Sequence, residues 1–165
     1  MNLTNIRFST WLESLYQQKA YHGTNKVFRD FSKEFFGQRD WGDFGVGIYL
    51  TESKYLAMQY ANDAARVTGE PIVLSVRLLI SNVANFDDEF ASQLSQSINI
   101  PFPKIIVAGE RQTRPRDEAQ KITNYMISNN YDAATARHGK EIVVYDPSKL
   151  RIEGYYDKEE DYHQI

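Results

Sequence analysis

The chain has 165 residues, a formal net charge of -3 and a pI near 5.6, with 42% of its residues hydrophobic and 25% charged. That length and balance suit a single domain, 1–165, with a real core, and the acidic total excludes binding driven by a broad basic surface. Cysteine is absent, which removes disulfides, thiolate metal sites and cysteine nucleophiles, and no run of about 18 apolar residues offers a membrane span. The opening MNLTNIRFSTWLESLY lacks the apolar core of a secretory signal, so a cytoplasmic address with no membrane partner is expected. His22, His138 and His163 lie far apart without ligand spacing, so no metal is expected.

Residues 5–18 read as an amphipathic helix with Ile6, Trp11, Leu12 and Leu15 on one face. Ala20 to Thr24 reads as a strand ending in YHGT, with Val27, Phe28 and Phe31 as apolar anchors beyond it. The segment from Gly37 to Gly45, GQRDWGDFG, has the composition of a surface loop beside a pocket. It runs into GVGIYLTESKYLAMQYA, residues 45–61, where Ile48 to Leu50 reads as a short strand and Thr51 or Ser53 as the cap of a following helix. Tyr49 lies in that strand and Tyr60 two turns into the helix. A strand-to-helix reversal can bring both rings around one flat ligand. Equally, Leu56, Tyr60 and Ala64 recur at i, i+4, i+8, the pattern of a buried helix face.

From Pro71 to Ile80 the alternation of Ile72, Leu74, Val76, Leu78 and Ile80 with intervening residues predicts a strand. Asp87 to Ile98 reads as a helix, Pro101 and Pro103 interrupt, and Lys104 to Val107 is a candidate short strand. A further helix is predicted from about Arg116 to Asn129, with Ala119, Ile122, Tyr125 and Met126 on one face. Tyr131 to Arg137, a turn at His138 to Lys140, and Glu141 to Asp146 read as a hairpin, Lys149 to Tyr155 as another strand, and 157–165 as an acidic, solvated C-terminal tail. Strands and helices mix without regular βαβ alternation, which predicts an α+β fold. Gly42, Gly45 and Gly47 do not make a dinucleotide fingerprint, because their spacing is wrong and a strand follows them.

Taken together, YHGT at 21–24, GIYL and QYA within 47–61, and EIVVYD at 141–146 resemble the His-Tyr-Glu class of ADP-ribosyltransferases, the group of diphtheria toxin and the poly(ADP-ribose) polymerases. Tyr49 and Tyr60 reproduce the family's tyrosine pair at its eleven-residue separation, and Glu141 opens the segment similar to its third motif. The N-terminal helix followed by YHGT is also similar to ADP-ribosyltransferase domains of phage and mobile-element polyvalent proteins.

The resemblance implies split, mostly antiparallel sheets with flanking helices and NAD as co-substrate in the cleft between them. It implies that Tyr49 and Tyr60 sandwich nicotinamide, that the backbone of Gly23 meets the carboxamide, that His22 and Thr24 serve the adenine-side ribose, and that Glu141 is the catalytic carboxylate. Arg39 is a candidate for the NAD diphosphate, and Arg137, His138 and Lys140 for a phosphate or an acidic target. Gly139 stands where arginine-modifying members carry a glutamate, and Ala57 where some polymerases carry a serine, so neither of those specificities is implied. The expected function is mono-ADP-ribosyl transfer to a macromolecule, a protein rather than a nucleic acid, in a toxin or phage effector. NAD hydrolysis and a non-catalytic NAD or ADP-ribose binding module are the alternatives.

Overall fold

A computed structural model describes residues 19–36, 42–102, 114–136 and 140–165. The helix expected at 5–18, the short strand expected from Lys104 to Val107, the loop tip with Arg39, and Arg137, His138 and Gly139 lie outside the described residues.

The described elements are β1 (Lys19–Thr24), β2 (Ile48–Leu50), α1 (Lys54–Ala65), β3 (Ile72–Leu78), β4 (Val83–Asn85), α2 (Asp88–Ile98), α3 (Arg116–Ser128), β5 (Ala133–Ala136), β6 (Glu141–Val144), β7 (Leu150–Tyr156) and β8 (Tyr162–Gln164), with short 3-10 turns at Lys33–Phe35 and Pro147–Lys149. They form two four-stranded sheets, ordered β1-β3-β7-β8 and β2-β6-β5-β4. Pairing is antiparallel except between β4 and β5, which are parallel because the chain crosses over through α2 and α3. This is the split-sheet α+β architecture expected from the sequence.

Apolar alternation builds the core between the sheets. Ala20, Ile72, Leu74, Val76 and Leu78 from the first sheet meet Ile48, Leu50, Ala133, Ile142 and Val144 from the second. The opposite face of the second sheet, through Ala134, Val143 and Tyr145, packs on Leu94, Ile122 and Met126 of α2 and α3. The outer face of the first sheet takes α1. Consequently β3 is buried on both faces, and only Arg77 within it is exposed.

Helix α1 begins at Ser53, whose side chain accepts the Leu56 N–H. Its buried stripe is Ala57 and Ala61, which meet Val73, rather than Leu56, Tyr60 and Ala64. Small residues let the helix lie almost on the strand: a Cβ added to Gly23 would sit 2.1 Å from the Ala57 carbonyl oxygen and 2.7 Å from the Ala61 nitrogen. Helix α2 starts at Asp87, which accepts the Phe90 N–H, and stops at Asn99 in the left-handed region (φ 53°). The C-terminal segment differs from expectation. Its side chains are exposed, but Asp157 accepts the Glu159 and Asp161 N–H groups to make a turn, and β8 pairs with β7 as an edge strand.

Helix α3 holds the irregular chain before β2. Thr123, buried in α3, accepts the Val46 N–H at 2.7 Å and lies 3.0 Å from the Val46 carbonyl, to which it donates. The valine that replaces threonine isosterically leaves both backbone groups buried without that partner. Thr123→Val is therefore expected to destabilise the fold by about 1–3 kcal/mol, seen as a lower urea midpoint at an unchanged m-value; an unaltered midpoint would contradict this account.

Candidate functional site at the junction of the two sheets

Strands β1 and β2 are edge strands of different sheets, and they meet. Tyr21 N–H donates to the Thr51 carbonyl at 2.8 Å, and Thr51 N–H donates back to the Tyr21 carbonyl at 3.0 Å. The sequence-predicted residues gather around this bridge.

His22 is half-buried, with its ring edge-on to Phe31 (5.3 Å between centroids) and Phe28 (6.3 Å). Its Nδ1 lies 2.8 Å from the Tyr49 carbonyl oxygen. A carbonyl only accepts, so Nδ1 carries the hydrogen and Nε2 keeps its lone pair in the neutral ring. Burial pulls the His22 pKa below its ordinary value, and the carbonyl hydrogen bond opposes this only in part. The next residue, Gly23, abuts α1, where an added Cβ would lie 2.9 Å from Tyr60 Cβ. The His22-Gly23 pair thus sits between the two tyrosine-bearing segments, one held by a hydrogen bond and the other by close packing. Thr24 ends β1 half-buried, opposite Ile72.

The two tyrosines have unlike settings. Tyr60 projects from α1 and is 42% exposed, so it is no core residue. Tyr49 is half-buried and packs beside Phe44. Its hydroxyl donates to the Gly45 carbonyl at 2.8 Å and accepts the Phe44 N–H at 3.1 Å. Gly42, with φ 51°, passes so close that an added Cβ would fall 1.9 Å from the Tyr49 hydroxyl oxygen. Glycine is therefore required at position 42 for the close approach to Tyr49.

Glu141 opens β6 opposite Ala136. Because Ile142 and Val144 face the inter-sheet core while Val143 faces the Tyr49 side, alternation places Glu141 on the face of Tyr49. The β2–β6 register pairs Tyr49 with Val143 and Leu50 with Ile142, so Glu141 comes opposite Thr51 and diagonal to Tyr49. Its side chain is half-buried, with Oε2 closed to solvent. Lys140, just before it, is exposed.

Sequence reasoning missed two residues here. Glu52, between Thr51 and the cap Ser53, is partly buried, and burial raises its carboxyl above the ordinary range. Arg114 is buried, ion-paired to Glu118 at 2.9 Å, stacked over Phe102 and hydrogen-bonded to the Asp43 carbonyl at 3.1 Å. Neither belongs to a motif, so no local signal distinguishes either from a surface charge. Among the described residues no group of three or more His, Asp or Glu is placed to hold a metal ion. No helix among them is long and apolar enough to cross a membrane.

The depressed His22 pKa carries a sign. The folded state gives up the imidazolium proton more readily than the unfolded chain, so between the folded value and the ordinary 6.5 the unfolded state binds more protons and stability rises with pH. This contribution is complete above 6.5 and is lost as pH falls below it. Melting temperatures of wild type and His22→Gln should therefore diverge between pH 7.5 and 5, as ordinary histidine titration near 6.5 requires, with the wild type losing more on acidification; parallel profiles would refute it.

A family model for the ADP-ribosyltransferase in polyvalent proteins matches residues 17–152. Among solved structures, a crystal structure of an anti-CRISPR protein aligns with 82% of this chain and 95% of its own, at 14% identity and a TM-score of 0.39. No curated protein matches the sequence. With a family match over most of its length and two split sheets, the chain belongs to the ADP-ribosyltransferase family found in polyvalent proteins.

Proposed function

We propose that this domain transfers a single ADP-ribosyl group from NAD to a macromolecular acceptor, a protein side chain, with release of nicotinamide, and that it serves as a toxin or phage effector acting in the cytoplasm of a host. The observation that carries this reading is the wedging of His22-Gly23 between the Tyr49 and Tyr60 segments, with Glu141 on the same sheet face as Tyr49. The family match supports the transferase chemistry and NAD as co-substrate.

In this reading, nicotinamide is a flat cationic ring while bonded to ribose, and the faces of Tyr49 and Tyr60 hold it by stacking and cation-π attraction worth about 1 kcal/mol each. The Gly23 backbone meets the carboxamide. The neutral His22 ring presents the Nε2 lone pair to a ribose hydroxyl, with Thr24 beside it. The bond between the nicotinamide nitrogen and the ribose C1′ breaks, its electron pair leaves with neutral nicotinamide, and positive charge develops on the sugar. The Glu141 carboxylate binds the ribose 2-hydroxyl more strongly as that charge grows, which lowers the barrier without a covalent enzyme intermediate. An acceptor nucleophile then bonds to C1′ and releases its proton to solvent.

Incubation with NAD labelled in the adenylate part, with and without cell lysate, tests the reaction. Label on protein is expected; free ADP-ribose alone would mean hydrolysis, label on nucleic acid a different acceptor, and unchanged NAD a binding module.

Glu141→Gln keeps shape and hydrogen bonding but loses the charge. NAD affinity should stay near wild type while nicotinamide release slows by roughly a hundredfold to a thousandfold, about 3–4 kcal/mol of transition-state stabilisation. Release at the wild-type rate would remove Glu141 from its role. Tyr60 is exposed and contributes little to the core, so Tyr60→Ala should fold normally yet bind NAD about 1–3 kcal/mol more weakly, by calorimetry. Unchanged affinity in the folded variant would end the clamp assignment.

A further inference from the structure

The chain from Asp43 to Val46 belongs to no helix or strand, yet each of its carbonyls accepts a side-chain hydrogen bond. Asp43 O takes Arg114 Nε–H at 3.1 Å, Phe44 O takes the Tyr145 hydroxyl at 2.8 Å, Gly45 O takes the Tyr49 hydroxyl at 2.8 Å, and Val46 O takes Thr123 at 3.0 Å. Burial pushes the Tyr145 phenol well above its usual pKa, so it stays protonated and donates. Such complete side-chain anchoring of an irregular segment fixes one conformation.

One peptide unit in this segment is gripped at both ends. The Asp43 carbonyl and the Phe44 N–H belong to the same peptide; Arg114 donates to the first, and the second donates to the Tyr49 hydroxyl at 3.1 Å. The donor at the head of this chain is a permanently charged guanidinium with 4% of its side chain exposed, held in place by Glu118 Oε2 at 2.9 Å, the Pro101 carbonyl at 3.3 Å and the Phe102 ring at 4.6 Å. A cation on the carbonyl polarises the peptide and strengthens its N–H as a donor, and that N–H in turn sharpens the phenol's bond to Gly45 O. The relay runs from Arg114 through the Asp43–Phe44 peptide to Tyr49 and ends on Gly45.

We propose that Arg114 is a positioning residue for the NAD site, fixing, through the Asp43–Phe44 peptide, the direction in which the Tyr49 ring points. It touches no reacting atom. The proposal rests on the reading of Tyr49 as a nicotinamide platform. A ring free to tilt offers a poorer stacking face, so loss of the relay weakens ground-state NAD binding more than it slows turnover.

The test combines Arg114→Gln, which removes the charge, with Tyr49→Phe, which keeps the ring and removes the hydroxyl. Hydrogen exchange of the Phe44 amide in NAD-free protein reads the relay directly, and steady-state kinetics read its consequence. Each single variant should speed Phe44 exchange and raise the KM for NAD about fivefold, more than kcat falls, and the double variant should be no worse than the poorer single because both break one chain. Should Arg114→Gln leave the half-buried Glu118 carboxylate without its partner and fail to fold, Arg114→Gln combined with Glu118→Gln takes its place. Unaltered Phe44 protection, or KM effects that multiply in the double variant, would overturn the proposal. Tyr49→Ala separates this from the underlying reading: if it leaves NAD binding intact, the nicotinamide platform fails whatever Phe44 does, whereas loss of binding there with no effect of Arg114→Gln sinks the positioning role alone.

Discussion

The pairing of two edge strands from separate sheets is the contact on which this structure depends. Tyr21 and Thr51 exchange both backbone hydrogen bonds, and His22 adds a side-chain bond to the Tyr49 carbonyl. Edge strands carry unspent N–H and C=O groups, and here each sheet uses the other's edge to satisfy them. The apolar layer between the sheets is non-directional and would not by itself set their relative register. Directional bonds at a few residues bring YHGT from one sheet beside the strand carrying Tyr49 in the other, and β6 then brings Glu141 along the β2 register.

Around that join, close packing and hydrogen bonding divide the labour between the two tyrosines. The α1 side is set by small residues: Gly23 against the backbone at Ala57 and Ala61 brings the helix onto β1, so the base of Tyr60 lies over the glycine while its ring remains at the surface. The Tyr49 side is set by polar bonds from α3 and from Arg114 and Tyr145, which clamp the segment before β2. One ring is pinned by its hydroxyl, and the other stands partly in solvent. If the two rings clamp nicotinamide as proposed, one wall of the site is fixed and the other adjustable, and closing on a flat ring is favourable when it costs less than the stacking gained.

The electrostatic setting agrees with transferase chemistry. A site that cleaves a glycosidic-type bond gains from a carboxylate where positive charge develops and from neutral groups elsewhere, since a nearby cation would oppose that charge. In the proposed reading Glu141 supplies the carboxylate, and burial, by lowering the His22 pKa, favours the neutral ring. Arg114, a buried cation among the described residues, is neutralised by Glu118 and directed into the backbone of the loop.

The residues themselves determined the α+β class, a strand at 48–50 and another within 71–80, a helix capped at Thr51 or Ser53 and one starting at Asp87, and the motifs that carry the family resemblance. These are legible because periodicity and capping act within a few residues of chain, and the family's motifs keep their local residues and spacing. Other features came only from the assembled structure. The Leu56, Tyr60 and Ala64 stripe has a helical period, but the contact with β1 selects Ala57 and Ala61, since only small side chains fit over Gly23. The last residues read as an acidic tail, yet the open edge of β7 offers backbone partners that exposed polar side chains do not disclose, and β8 forms there. Arg114 looks like any surface arginine in the sequence. Its hydrogen bond reaches a carbonyl 71 positions away, and a bond across such a separation exists only once the segment before β2 has packed against α3.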